Sequence, residues 1–193
     1  KGVHLPDVLG LVKSVREKSQ VPIVLFWFYN PVFTFGLKRF AIEAKKAGVD
    51  GVLIVDLPAE EADELKTELD AAGLDLIFLL TPTSDASRMK ITASKASGFI
   101  YFVSVTGVTG ARMKLATDIP KYVRMVRKHT DVPVGVGFGI STPEQAAEVC
   151  AHADGVIVGS AIINIIAGNA GSKDLLDKVG KFVAGLKKGI SKA

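Results

Sequence analysis

The feature that most constrains this chain is a repeated alternation of two patterns. Short runs of apolar, often β-branched residues occupy 22–28, 51–55, 74–80, 98–105, 132–137 and 155–158. Amphipathic stretches at 37–47, 59–72, 84–97, 118–129, 142–152 and 174–188 follow them, and a further helical pattern opens the chain at 5–18. The run Leu76-Ile77-Phe78-Leu79-Leu80 is apolar throughout rather than alternating, as befits a parallel strand covered on both faces. In the stretch 59–72, Ala62, Leu65, Leu69 and Ala72 recur at three- and four-residue steps among acidic neighbours, and Gly73 marks the stop. Ser141-Thr142-Pro143-Glu144 reads as a hydroxyl cap followed by an early proline, a helix start. Strand-then-helix units of about 25 to 35 residues describe an α/β protein with a parallel sheet.

Two architectures fit such repeats. A doubly wound sheet usually carries its glycine-rich phosphate loop after the first strand. A (β/α)8 TIM barrel often binds phosphate after its seventh and eighth strands. Here the glycine-rich turns, GVGFGIS at 135–141 and VGSA at 158–161, close the last two units, which favours the barrel. Six units fall short of the eight strands and about 250 residues usual for that fold. The chain starts at Lys1 on a helical pattern, without Met, and shows no strand pattern after Asp174. The expectation is therefore a single, partial barrel domain over 1–193 that lacks the first two βα units. Such an incomplete barrel exposes strand edges at 22–28 and 155–158.

Composition excludes several function classes. With 48% hydrophobic and 23% charged residues, the chain is neither disordered nor low-complexity. The lone Cys150 cannot form an internal disulfide. No apolar run approaches the roughly 20 residues of a membrane span. The net charge of +4 is spread over helical segments as Lys38-Arg39, Lys45-Lys46 and Lys187-Lys188, so no nucleic-acid surface is expected. His4, His129 and His152 lie away from the strand ends, and no metal cluster or histidine-based triad emerges.

The residues that carry chemistry sit where the runs end. In Gly135-Val136-Gly137-Phe138-Gly139-Ile140-Ser141, glycines let backbone amides approach an anion ahead of a helix N-terminus. Gly159-Ser160 adds a second such turn on the next unit. Either turn alone is an ordinary βα connection, whereas the pair makes a convergent phosphate cradle. Asp154 precedes the next strand and is misplaced for a dinucleotide site. The stretch SVTGVTGAR at 104–112 leaves its strand through two glycines and three hydroxyls, the composition of an active-site lid. The aromatics Phe26-Trp27-Phe28-Tyr29 end the first run: core packing is expected for Phe26 and Trp27, and a pocket for a flat ring at Phe28 and Tyr29. Asp56, in Asp56-Leu57-Pro58, is either a strand-end acid or a cap for a helix beginning at Ala59.

The segments FYNPVF, AGVDGVLIVDLP, FLLTPTSDASRMK, GFIYFVSVTGVTGAR, GVGFGISTPEQ and GVIVGSAIINII, in this order and spacing, resemble the tryptophan synthase alpha subunit over essentially the whole chain. The resemblance implies a cytoplasmic (β/α)8 lyase of tryptophan biosynthesis. It cleaves indole-3-glycerol phosphate by a retro-aldol reaction to indole and glyceraldehyde 3-phosphate. It also implies an alpha2beta2 heterotetramer with a beta subunit that carries pyridoxal phosphate, the alpha chain having no cofactor, metal, nucleic-acid or membrane partner of its own. Carried onto this sequence, Gly110, Gly139, Gly159 and Ser160 correspond to phosphate-holding positions, with Gly137 and Phe138 in the same turn. Thr109 corresponds to a supporting lid residue and Tyr101 to a pocket aromatic. Asn30, Phe33, Asp56 and Pro58 fall in segments that face the beta subunit.

Two departures stand out. Phe28 replaces a pocket tyrosine found in many members, removing a hydroxyl. The family's catalytic Glu and indole-contacting Asp belong to a segment reading roughly E-x-G-x-P-F-S-D-P-x-A-D-G-P, and none of these 193 residues forms such a segment. Cleavage needs protonation at indole C3, removal of a hydroxyl proton and support for the indole N–H. Positioned acids and bases typically contribute about 10² to 10⁴ each to such steps. No catalytic residue is assigned here, and this polypeptide alone is expected to be inactive or nearly so. The alternatives are another phosphate-binding barrel, of the sugar-phosphate isomerase or indole-glycerol phosphate synthase type, and a non-catalytic fragment that only docks the beta subunit.

Overall fold

The structure, a computed structural model, describes residues 2–104, 118–137 and 139–191. The chain forms two compact units, one of Lys1–Leu79 with Ser87–Ile100, the other of Leu80–Ala86 with Tyr101–Ala193.

The first unit runs α1 (Leu5–Arg16), β1 (Val24–Trp27), α2 (Tyr29–Phe35), α3 (Leu37–Ala47), β2 (Gly51–Ile54), α4 (Asp63–Ala72), β3 (Asp75–Leu80) and α5 (Ala86–Lys95). Its strands are parallel: Val24 pairs with Gly51 and Trp27 with Ile54, and Gly51 pairs in turn with Asp75. All four residues of β2 are buried, which explains its unbroken apolar run. Phe40 and Ala44 of α3 and Leu65 and Leu69 of α4 are completely covered and pack into one core with Val52 and Leu76. Gly48 and Gly73 end α3 and α4 in the left-handed conformation, at φ +94° and +65°.

Three expectations change in this unit. The segment after Pro58 is a 3-10 turn over Ala59–Glu61, and the α-helix begins only at Asp63. The aromatic run also divides differently: Trp27 packs against the core, whereas Phe26 is 57% exposed. Strand residues alternate faces, and Leu25 is the buried neighbour, so Val24, Phe26 and Phe28 share the other, exposed side. Finally, the residues after Phe28 form a short helix, α2, where the sequence showed only the end of the first apolar run.

The second unit runs β4 (Ile100–Val103), α6 (Ile119–Arg127), β5 (Val134–Gly137), α7 (Pro143–Cys150), β6 (Gly155–Ile157), α8 (Ser160–Gly168) and α9 (Leu175–Ile190). β5 and β6 are parallel, with Gly135 opposite Gly155 and Gly137 opposite Ile157. Phe102 is fully buried and stacks on Tyr122 with ring centroids 5.2 Å apart. Thr142 caps α7 in a reciprocal box, its hydroxyl accepting from the Gln145 amide while Gln145 accepts from the Thr142 amide, both at 3.2 Å. Helix α9 packs along α7, so closely that a Cβ on Gly189 would lie 2.5 Å from the Pro143 carbonyl oxygen.

The two units share one device at the N-terminal ends of their strands. The Asp50 carboxylate accepts from the Ile23 amide at 2.7 Å and pairs with Arg16 of α1. In the same way Asp154 accepts from the Val134 amide at 2.8 Å and pairs with Arg127 of α6 at 2.7 Å. Each clamp ties the end of a helix to the start of the next two strands.

Candidate functional site

The functional candidates gather at the opposite, C-terminal strand ends, where α/β proteins of this kind place their sites. In the second unit, β5 leads through Gly139 to Ser141 and α7, and β6 leads through Gly159 directly into α8. Gly139 has φ +78° with open space around its Cα, so backbone strain rather than crowding is what requires glycine there. At the second turn the Ile162 amide is the first to bond back, to the Gly159 carbonyl at 2.9 Å. The amides of Ser160 and Ala161 precede that bond and stand at a positive helix end.

These two turns border a cleft of about 290 Å³ lined by Tyr101, Gly139, Ile140, Ser141, Ile157, Gly159, Ser160, Ala161 and Asn164. None of these side chains is charged. An anion entering the cleft is therefore met by backbone amides, the Ser141 and Ser160 hydroxyls, the Asn164 carboxamide and the Tyr101 phenol. Burial raises the Tyr101 pKa, so at neutral pH its hydroxyl remains a donor. Gly137 lies behind this lining: a Cβ there would sit 2.8 Å from Cε2 and Oη of Tyr101 and 2.9 Å from Ile157 Cβ. The Gly137 carbonyl accepts two bonds from Ser104, from its amide at 3.0 Å and from its hydroxyl at 2.9 Å.

Thus Tyr101, Gly139, Gly159 and Ser160 come together in one cleft and Gly137 supports it. Thr109, Gly110, the rest of the 105–117 lid segment and Phe138 lie outside the described residues. Phe28 belongs to the first unit, where it precedes α2 and is 59% exposed. Asn164 was not singled out from the sequence, and Ser104 was read only as the first hydroxyl of the lid segment, whereas it is buried at the end of β4. Asn164 stands one helical turn after Ser160, a relation hidden because the apolar IINII run shows no polar stripe that would announce α8.

In the first unit, Asn30 and Phe33 are exposed on α2, and Asp56 and Pro58 line a second cleft of about 230 Å³ that Arg88 and Thr92 also border. Asp56 corrects one expectation. It caps no helix at Ala59, since that turn shows no side-chain cap. Its carboxylate instead accepts from the Tyr29 amide at 2.7 Å, satisfying the first free N–H of α2. One bond therefore ties the loop holding Asp56 and Pro58 to the helix holding Asn30 and Phe33. Among the described residues, no group of three or more His, Cys, Asp or Glu is placed to hold a metal ion. Among them also, no helix is long and apolar enough to cross a membrane.

Comparison with known proteins accords with this arrangement. A family model described as tryptophan synthase alpha chain matches residues 1–191. The tryptophan synthase alpha chain of Geobacter sp. strain M21 is 56% identical over 191 residues, which cover 99% of this chain and 71% of that protein. The solved alpha subunit from Legionella pneumophila superposes with a TM-score of 0.85 at 36% identity, covering 100% of this chain and 71% of that one. A structure of the tryptophan synthase a2b2 complex from Pyrococcus furiosus contains a chain with a TM-score of 0.86 at 34% identity, covering 97% of this chain and 75% of that one. The strand–helix repeats are thus those of the TIM-barrel tryptophan synthase alpha chains.

Proposed function

The chain belongs to the tryptophan synthase alpha chain family of tryptophan biosynthesis, and from that premise we propose that its second unit holds the phosphate of indole-3-glycerol phosphate. The observation that carries this reading is the uncharged cleft in which the Gly139 turn, the Gly159-Ser160 turn and Tyr101 meet. Helix-end amides and hydroxyls match the oxygens of a phosphate dianion, and the α8 N-terminus supplies favourable partial charge. Gly137 fits the Tyr101 ring closely, and Thr109, Gly110 and Phe138 complete the phosphate and lid positions.

The family's reaction is a lyase step, the retro-aldol release of indole and glyceraldehyde 3-phosphate. These 193 residues contain no counterpart of the segment bearing the family's Glu and Asp. This polypeptide therefore binds phosphate substrate or product but releases little indole unaided. Asn30, Phe33, Asp56 and Pro58 form the face toward a beta subunit in an alpha2beta2 assembly, supported by the Asp56–Tyr29 bond that joins their two segments. Pyridoxal phosphate belongs to that partner, the alpha chain takes no cofactor, and the setting is the cytoplasm.

The test mixes the chain with indole-3-glycerol phosphate, with and without a beta subunit, and measures indole release together with serine-dependent tryptophan formation from added indole. The expected result is stimulation of the beta reaction with negligible indole release. Turnover near that of a complete alpha subunit would overturn the expectation of inactivity, and absence of any effect on the beta reaction would overturn the docking face.

A further inference from the structure

We propose that Ser104 is a positioning residue for the phosphate cleft, acting through the Gly137 carbonyl on the Gly139 turn and on the Tyr101 ring. This rests on the phosphate-binding reading above.

Pairing β4 with β5 requires only one donor to the Gly137 carbonyl, and the Ser104 amide supplies it at 3.0 Å. The Ser104 hydroxyl adds a second donor to the same oxygen at 2.9 Å. Ser104 is completely buried, and with Thr92 it makes up the buried polar residues among the described ones. Burying a hydroxyl costs free energy unless it is hydrogen-bonded, and a serine here brings nothing to the ladder that alanine would lack. What it adds is a doubly held carbonyl at a particular place. Gly137 is the last residue of β5, two residues before Gly139, and its Cα lies flush against Tyr101. Tyr101 in turn lines the cleft together with Gly139. The hydroxyl therefore fixes the separation between the ring on β4 and the turn leaving β5. Amides that bind an anion must be aimed at its oxygens, so small displacements there cost affinity.

Replacing Ser104 by alanine leaves the carbonyl its amide donor, so no buried group is orphaned and the pairing survives. The expected effect is a loss of about three- to tenfold in affinity for glycerol 3-phosphate, the value of one hydrogen bond. Arg127→Ala serves as the comparison, because it weakens the same unit at the far strand ends, where Arg127 pairs with Asp154. Calorimetric titration with glycerol 3-phosphate is to be combined with ligand-free NMR of the Gly139 amide and the Tyr101 ring. Ser104→Ala should weaken binding and move both signals, whereas Arg127→Ala should lower the melting midpoint and leave them in place. Ser104→Cys, which keeps a weaker donor on a somewhat larger side chain, should fall between wild type and alanine, and it replaces the alanine variant if that fails to fold. Affinity within twofold of wild type with unmoved signals would overturn the proposal. If wild type itself shows no saturable phosphate binding, the functional reading fails, and the ligand-free signals alone then judge the positioning role.

Discussion

Gly137→Ala isolates the close fit on which the cleft depends. The new Cβ would meet Tyr101 Cε2 and Oη at 2.8 Å and Ile157 Cβ at 2.9 Å. These neighbours can respond differently. The Tyr101 atoms are the far end of a side chain and can swing toward the cleft. Ile157 Cβ is attached to the backbone of a strand held in register with Gly137 itself, so it can move only if the sheet moves. Overpacking of this kind costs about 1–3 kcal/mol. The lower chain entropy of alanine in the unfolded state returns about 0.4–1 kcal/mol, leaving a net loss of about 1–2 kcal/mol. Gly155, on the neighbouring strand, provides the contrast: a Cβ there meets nothing within 4 Å, so Gly155→Ala keeps only the entropic gain. Urea unfolding at constant slope should therefore give a lower midpoint for Gly137→Ala and an unchanged or higher one for Gly155→Ala. Displacement of Tyr101 should also weaken phosphate binding in the first variant alone. If Gly137→Ala matched wild type in both stability and binding, the packing argument would be refuted.

The clamps at the other strand ends and the helix caps lead to further expectations. The Arg127 guanidinium, bonded to Asp154, holds that carboxyl below its ordinary range despite partial burial. A depressed folded-state pKa gives stability that is present above the unfolded value of about 3.9 and is lost as pH falls through the folded value. Asp154→Asn should therefore melt below wild type near pH 7 and converge with it below about pH 4. With the pair 45% and 42% exposed, the gap at neutral pH should stay within about 1 kcal/mol, and equal melting at every pH would count against the clamp. Asp56→Ala removes the acceptor for the first amide of α2, a loss of about 1 kcal/mol by analogy with other caps. Hydrogen exchange should speed up at Tyr29 and along α2 while α3 and α4 remain protected, and unchanged exchange at Tyr29 would refute this capping role.

Much of the fold was legible because it rests on local signals. The unbroken apolar run around Leu76 marks a strand buried on both faces, Gly73 marks a helix stop, and Thr142 with Pro143 marks a start. Periodicity failed where apolar residues do not report a buried face. Phe26 belongs to a strand covered on one side, and nothing in a run of four aromatics says which side. Helix α8 is apolar nearly all round yet has no buried residue, so its pattern gave no stripe to recognise. The cleft at the ends of β5 and β6 was foreshadowed by the Gly139 turn, where φ +78° makes glycine a requirement of the backbone itself. The roles of Ser104 and Asp56 were not readable, because each bonds a backbone group 33 or 27 residues away, a relation that only the folded chain creates.

The central claim is that the turns after β5 and β6 form one phosphate site. Titrating the isotopically labelled chain with glycerol 3-phosphate, while recording backbone amide NMR signals, tests it most directly. The account predicts saturable shifts, largest at Gly139, Gly159, Ser160 and Ala161, with a common dissociation constant. Saturable shifts centred on other residues, or none at millimolar ligand, would contradict it.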